Sequence, residues 1–244
     1  MKLLIIRHAD PDYEHDSLTP KGFHEAELLA RKLVKQDITA AYVSPLGRAK
    51  DTAAPTLSRL NLEAEECDWL HEFDLHRIWR PDVADRRMIV WDWLPQDWMS
   101  VPAFFDNERW DQHPLLKEAG IGDYYREVAD HFDALLAKHG YRREGRCYRV
   151  ERENDDTIAL FCHFGSGCVL LSRILNISPM ILWHSYAAAP SSVTTVVTEE
   201  RREGTAIMRV TGMGDISHLY AGDEPPSFAC RFCECFHNED ERHD

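Results

Sequence analysis

The chain opens Met1-Lys2-Leu3-Leu4-Ile5-Ile6-Arg7-His8-Ala9-Asp10, and this stretch sets the fold. Lys2 to Ile6 is an apolar run with two isoleucines bounded by polar residues, the pattern of a buried strand. Arg7 and His8 fall where that strand ends. In an open α/β sheet, ligands bind outside the carboxyl ends of the strands. An Arg beside a His at such an edge can offer a cation and a nucleophile to one small anion. Taken alone, a dipeptide on a strand end is more often a surface Arg and a capping His than a catalytic pair, so its meaning depends on the other strand ends.

Working outward, Leu18-Thr19-Pro20-Lys21-Gly22 opens a helix, with Thr19 as cap and Pro20 at the first helical position, where its missing N–H costs nothing. Phe23, Ala26, Leu29, Ala30, Leu33 and Val34 recur at helical spacing and are expected to face the sheet. Ala40 to Val43 predicts a second strand, running into Ser44-Pro45-Leu46-Gly47-Arg48 and a helix whose first turn carries Arg48, a position suited to an anion. A third strand is expected over Leu60 to Ala64. The clearest strand of the second half, Thr157 to Cys162, ends at His163. It is followed by Gly165-Ser166-Gly167, read as a glycine turn, and a helix over Cys168 to Leu175. Ser192 to Thr198 and Ala206 to Val210 alternate as paired strands joined through Glu200 to Gly204. The alternation of strands and helices predicts an α/β fold of three layers, a mainly parallel central sheet flanked by helices, with an inserted cap region.

The cap is expected at about residues 75–153. Six of the seven tryptophans, Trp69, Trp79, Trp91, Trp93, Trp98 and Trp110, lie at its start or within it. Their burial tendency favours roof packing over a ligand cage, with part of the cluster free to line a pocket. One long helix is expected at roughly His113 to His139, with Leu116, Tyr124, Val128, Phe132, Leu135 and Leu136 on one side. One domain therefore spans 1–222, and residues 223–244 form an acidic, Cys-containing tail expected to be poorly ordered.

The net charge of −14 argues against nucleic-acid or anionic-membrane partners, which require basic patches. A few focused Arg and His side chains can still hold one phosphate. The sequence has no apolar run of roughly 18 residues to span a bilayer, and its opening apolar run is too short for a signal peptide. Seven scattered cysteines give no disulfide framework, so a reducing cytoplasm is the expected location. Nothing in the sequence sets the oligomeric state.

Separate strand ends thus carry Arg7 with His8, Arg48, and His163, and Glu72 follows a further element. Phosphoryl transfer through a histidine needs this set: a neutral imidazole, cations around the equatorial oxygens, and a carboxylic acid to protonate the leaving alkoxide and later deprotonate water. The residues that carry this resemble the histidine phosphatase superfamily, the phosphoglycerate-mutase-like proteins. Arg7-His8-Ala9 is similar to that family's Arg-His-Gly, and Leu18-Thr19-Pro20-Lys21-Gly22 to its Leu-Thr-x-x-Gly. Ser44 to Ala53 matches every fixed position of Ser-Pro-Leu-x-Arg-Ala-x-x-Thr-Ala. Leu70-His71-Glu72-Phe73 resembles its acid motif, and His163 with the glycines after it resembles its second His. The resemblance implies His8 as phosphohistidine nucleophile, Arg7, Arg48 and His163 on the phosphate, Glu72 as general acid and base, a small phosphorylated substrate, and no metal or other cofactor.

Three departures stand out. Ala9 replaces a Gly. Asp10 and Asp12 occupy the loop where the family often has a phosphate-contacting Asn. Phe164 stands where the acid-phosphatase-like branch has Asp, which favours Glu72 as the acid over Asp74 and Asp10. His71, Arg77 and Arg80, with His76, cluster near Glu72 as candidates for substrate anions beyond the phosphate or as a plain polar surface. Cys230, Cys233, Cys235 and His237 resemble a metal knuckle, but the second half of such a site is missing and an incidental cluster is the simpler reading. The expected activity is metal-independent hydrolysis of a small phosphorylated metabolite. A phosphoglycerate-type phosphomutase is the first alternative, disfavoured because the cap lacks a basic insertion. A non-catalytic phospholigand-binding or interaction protein is the second, disfavoured because a binder has no need of Glu72.

Overall fold

The computed structural model describes residues 1–229 and 231–241. Eight strands form one sheet: β1 (Lys2–Arg7), β2 (Ile38–Val43), β3 (Ala64–Glu66), β4 (Tyr141–Glu144), β5 (Cys147–Val150), β6 (Thr157–Cys162), β7 (Val193–Arg202) and β8 (Thr205–Asp215). Their spatial order is β3-β2-β6-β1-β7-β8-β5-β4. The neighbours from β3 to β1 are parallel, and the rest of the sheet continues from β1 antiparallel. The parallel half carries the expected site. The hairpin through Glu200 to Gly204 forms as its alternation indicated.

The central strands β1 and β6 are buried on both faces because both faces are covered. Leu4, Ile6, Val43, Ala159 and Phe161 pack with Leu29 and Leu33 of α1 (Pro20–Leu33) and Ala49 and Ala53 of α2 (Gly47–Leu60). The alternate residues Leu3, Ile5, Ile158 and Leu160 pack on the other face with α3 (Ile121–Lys138), α4 (Phe164–Leu175) and α5 (Pro179–Ser185). The three-layer expectation is met.

Local signals account for the helix ends. Thr19 caps α1, accepting from the Gly22 amide at 3.0 Å. Gly22 is required because a Cβ there would run into the Asp10 carbonyl oxygen. Asn61 and Asn176 end α2 and α4 in the left-handed conformation, at φ 49° and 55°.

Four local expectations change. Phe23 is 47% exposed, because Gly22 takes the inward position of the first turn of α1. The third strand begins at Ala64 instead of ending there. The long helix after His113 is two helices, Pro114–Glu118 and α3, broken at Gly120, whose φ is +69°. The glycines after His163 do not form a turn. They lie in the first turn of α4, which starts at Phe164 with His163 at its cap position.

Helix α3 packs beneath the sheet and β4 and β5 extend the sheet edge, so the segment outside the layers is chiefly the stretch between Leu70 and Gly120. It contains a strand pair, Ile78–Trp79 with Arg87–Met88, and short helical turns. Among the described residues, no helix is long and apolar enough to cross a membrane.

One buried carboxyl is a structural post. Glu25, 0% exposed in α1, accepts from the Asp10 amide at 2.9 Å. Burial pushes its pKa up from 4.5 to about 7. The folded protein thus holds a proton that the unfolded chain releases at ordinary carboxylate pH. Its stability contribution is full below about pH 4.5 and is lost as pH rises to about 7, by up to about 3 kcal/mol. Glu25→Gln retains an acceptor for Asp10, and chemical denaturation across this interval is expected to show that loss removed. Equal pH dependence in the two proteins would refute the assignment.

Candidate active site

The parallel pairing of β1 with β6 brings Arg7 into register with Cys162, so the residues that follow, His8 and His163, emerge side by side. Their ring centroids are 5.1 Å apart. The His8 amide donates to the Cys162 carbonyl and the Ser44 amide to the Phe161 carbonyl, fixing three strand ends to one another. His8 is buried, and its Nδ1 lies 2.8 Å from the Ala9 carbonyl oxygen. A carbonyl can only accept, so Nδ1 carries the proton and Nε2 the lone pair. Burial first, then the Arg7 and Arg48 cations, lowers the His8 pKa well below 6.5. The imidazole is therefore neutral at physiological pH, with its lone pair on Nε2.

His163 is positioned through Ser44. The Leu46 amide donates to Ser44 Oγ at 3.3 Å, and the hydroxyl lies 2.7 Å from His163 Nε2. With Ser44 donating to Nε2, the ring proton sits on Nδ1, which is buried without a protein partner. Burial, followed by His8 and Arg48, lowers the His163 pKa well below 6.5, so it donates as a neutral ring.

Arg7 donates from Nη1 to the Ala188 carbonyl at 2.5 Å and more weakly to Ala229 at 3.4 Å. Arg48, in the first turn of α2, donates from Nη1 to Asp16 Oδ1 at 2.6 Å, while Asp16 Oδ2 accepts from the Gly47 amide at 2.7 Å. Arg7 Nε and Arg48 Nε are both buried without partners. Together with His163 Nδ1 they are three desolvated donors lacking an acceptor, which buried groups rarely tolerate unless a ligand satisfies them. A phosphate supplies the missing acceptors.

Glu72 closes the set from the cap side. Its Oε1 accepts from the amides of Phe73 at 2.8 Å and Ser166 at 3.2 Å. Burial raises its pKa, opposed by those amides. With both amides on Oε1, the acid proton belongs on Oε2. Gly165 makes this fit possible: a Cβ there would lie 2.8 Å from Glu72 Oε1 and 2.6 Å from a Trp91 ring carbon. Gly165 therefore admits cap side chains at the start of α4.

Arg7, Arg48 and Glu72 line a cavity of about 1020 Å³, with His8 and His163 buried next to them. The other candidates separate. Arg77 lines the cavity, 3.8 Å from Asp74. Arg80 lines it too, but its donors are spent on Asp82 and the Asp92 carbonyl. His71 does not line it, and its Nδ1 donates to the Glu72 carbonyl at 3.0 Å. His76 Nδ1 donates to the Ala119 carbonyl at 2.6 Å. Asp10 accepts from Thr19 at 2.7 Å and from Ser227, and Asp12 pairs with His15 at 2.8 Å, so neither lines the cavity. Ala9 donates its amide to Thr52 at 2.9 Å.

Ser44 and Asp16 were not singled out in the sequence. Ser44 opens a recognised motif and could have been flagged, whereas Asp16 sits in a polar loop with no pattern. The segment after Gly222 crosses the site, and Arg231, Phe232, Cys233 and Phe236 line the cavity. Cys230, the first residue of the possible metal knuckle, lies outside the described residues, and the described residues contain no cluster of three or more His, Cys, Asp or Glu suited to a metal.

Comparison with known proteins agrees with this geometry. The phosphoserine phosphatase 1 of Hydrogenobacter thermophilus is 23% identical over 220 residues, covering 86% of this chain and 93% of that protein. A phosphoserine phosphatase from Entamoeba histolytica, solved with phosphoserine, superposes with a TM-score of 0.58 at 17% identity, covering 89% of this chain and 98% of the other. A mycobacterial glucosyl-3-phosphoglycerate phosphatase superposes at 0.54 with 18% identity, covering 87% and 98%. The model of the histidine phosphatase superfamily (branch 1) matches residues 3–210, and the chain belongs to that superfamily.

Proposed function

We propose that this histidine-phosphatase-type enzyme hydrolyses a small phosphorylated metabolite through a phosphohistidine on His8. The observation that supports this most is the meeting of a neutral His8, whose Nδ1 is tied down, with three unpartnered donors and a buried Glu72 whose pKa is raised. His8 Nε2 attacks phosphorus as the ester P–O bond breaks. Arg7, Arg48 and His163 hold the non-bridging oxygens, where charge accumulates. Glu72 gives its proton to the departing alkoxide. The resulting carboxylate then takes a proton from water, which attacks phosphorus and releases His8 and inorganic phosphate.

The test is acid-labile, base-stable phosphate on the protein during turnover, absent in His8→Ala. Finding neither that label nor released phosphate across phosphomonoesters would sink the proposal. Glu72→Gln is expected to lower kcat by about 10²–10⁴-fold while phosphate binding stays near wild type. Comparable losses in both would make Glu72 structural. Burial raises the Glu72 pKa, so kcat should fall as pH rises and the acid loses its proton, and Glu72→Gln should lose this descending limb. The lowered pKa of His8 should leave no ascending limb from its titration near pH 6.5.

Gly165→Ala is expected to displace Glu72 and Trp91 and to reduce kcat by about a hundredfold. An unaltered kcat would show that the close approach at Gly165 has no part in placing the acid.

A further inference from the structure

The cavity is larger than a minimal phosphoester needs. Its volume of about 1020 Å³ lies at the top of the roughly 300–1,000 Å³ range of pockets that bury drug-sized ligands. Beyond the phosphate end its walls are largely aromatic, with Trp91, Trp93 and Trp98 from the cap, Phe164 from α4, and Phe232 and Phe236 from the last segment. The outer arginines already face carboxylates: Arg77 is beside Asp74, Arg80 is on Asp82, and Arg231 pairs with Glu234. A leaving group bearing its own carboxylate or ammonium would have to break these pairs and lose water against aromatic walls.

Besides the Arg7 and Arg48 Nε donors at the phosphate end, two polar atoms of the cavity-lining residues are unmatched. The Trp93 indole N–H is buried without an acceptor, although the Trp183 indole donates to the Gly165 carbonyl at 3.1 Å. His184 Nδ1 donates to the Met180 carbonyl at 2.8 Å, which leaves Nε2 as an acceptor, also buried without a partner. Burial lowers the His184 pKa to about 4, so the ring stays neutral. One orphan donor and one orphan acceptor among stacking rings suit an uncharged group that both accepts and donates.

Resting on the phosphatase reading above, we propose that the substrate is a phosphomonoester of a bulky, uncharged, ring-bearing alcohol carrying hydroxyl or N–H groups. The rings pack against the tryptophan wall. Trp93 and His184 take the polar groups, and the phosphate reaches Arg7, Arg48 and His163.

The test compares initial rates of the full chain on primary alkyl phosphates with similar leaving-group chemistry: ethyl phosphate, phosphoserine, 3-phosphoglycerate, adenosine 5′-phosphate and 2-(indol-3-yl)ethyl phosphate. Both ring-bearing esters are expected to exceed ethyl phosphate in kcat/KM by at least about tenfold, with phosphoserine no better than ethyl phosphate. Ala187→Trp, which fills the outer cavity, should cut the ratio of ring-bearing to ethyl ester by about tenfold. Trp93→Phe keeps a ring but not the N–H, and should cut it by about fivefold. Preference for phosphoserine or 3-phosphoglycerate, equal rates on all five esters, or an unchanged ratio in both variants would overturn this inference and leave the phosphatase reading standing. No hydrolysis of any ester and no phosphate on His8 would overturn both.

Discussion

The parallel pairing of β1 with β6 is the contact on which the site depends. Arg7 opposite Cys162 leaves His8 and His163 as the next residues on two adjacent strands, both buried where the strands stop. The sheet supplies the alignment, and desolvation supplies the chemistry. Water is excluded from both imidazoles, and nearby arginines oppose any added positive charge, so both rings are neutral. A carbonyl at Ala9 and a hydroxyl at Ser44 then choose the tautomers, giving one ring a lone pair and the other an N–H to present. The same burial leaves guanidinium and imidazole donors with nothing to bond, an arrangement that stores affinity for an oxyanion.

The acid arrives from outside the sheet. Glu72 lies where the chain leaves the main layers, and burial raises its pKa while two amides hold one oxygen. The absence of a side chain at Gly165 links this carboxyl to α4 and to Trp91. The cap thus has a double part: it brings the Glu72 carboxyl to the buried arginines and histidines and builds an aromatic wall of the cavity.

Most of the architecture could be read along the chain. Apolar runs located β1 and β6, and Thr19-Pro20 located the start of α1, because these signals are local in sequence. Arg7, His8, Arg48, Glu72 and His163 were legible because motif order preserved them. Errors came where local rules met packing. Phe23 follows the helical period but is outward, because Gly22 must approach the Asp10 carbonyl. Gly165 and Gly167 look like a turn but lie in a helix, and at Gly165 the missing Cβ leaves the space that Trp91 and Glu72 occupy. Arg80 looked like a substrate cation and is instead consumed by Asp82 and the Asp92 carbonyl.

By itself the sequence determined the α/β class, the strand-end placement of the reactive residues and the kind of chemistry they support, since strand periodicity, capping and motif spacing are properties of neighbouring residues. Tertiary structure alone decided the tautomers of His8 and His163, the partnership of Asp16 with Arg48, the fate of Asp10, and the passage of the last segment across the cavity. Those outcomes depend on burial and on partners far apart in the chain, and burial arises only when strands and cap close over the same space.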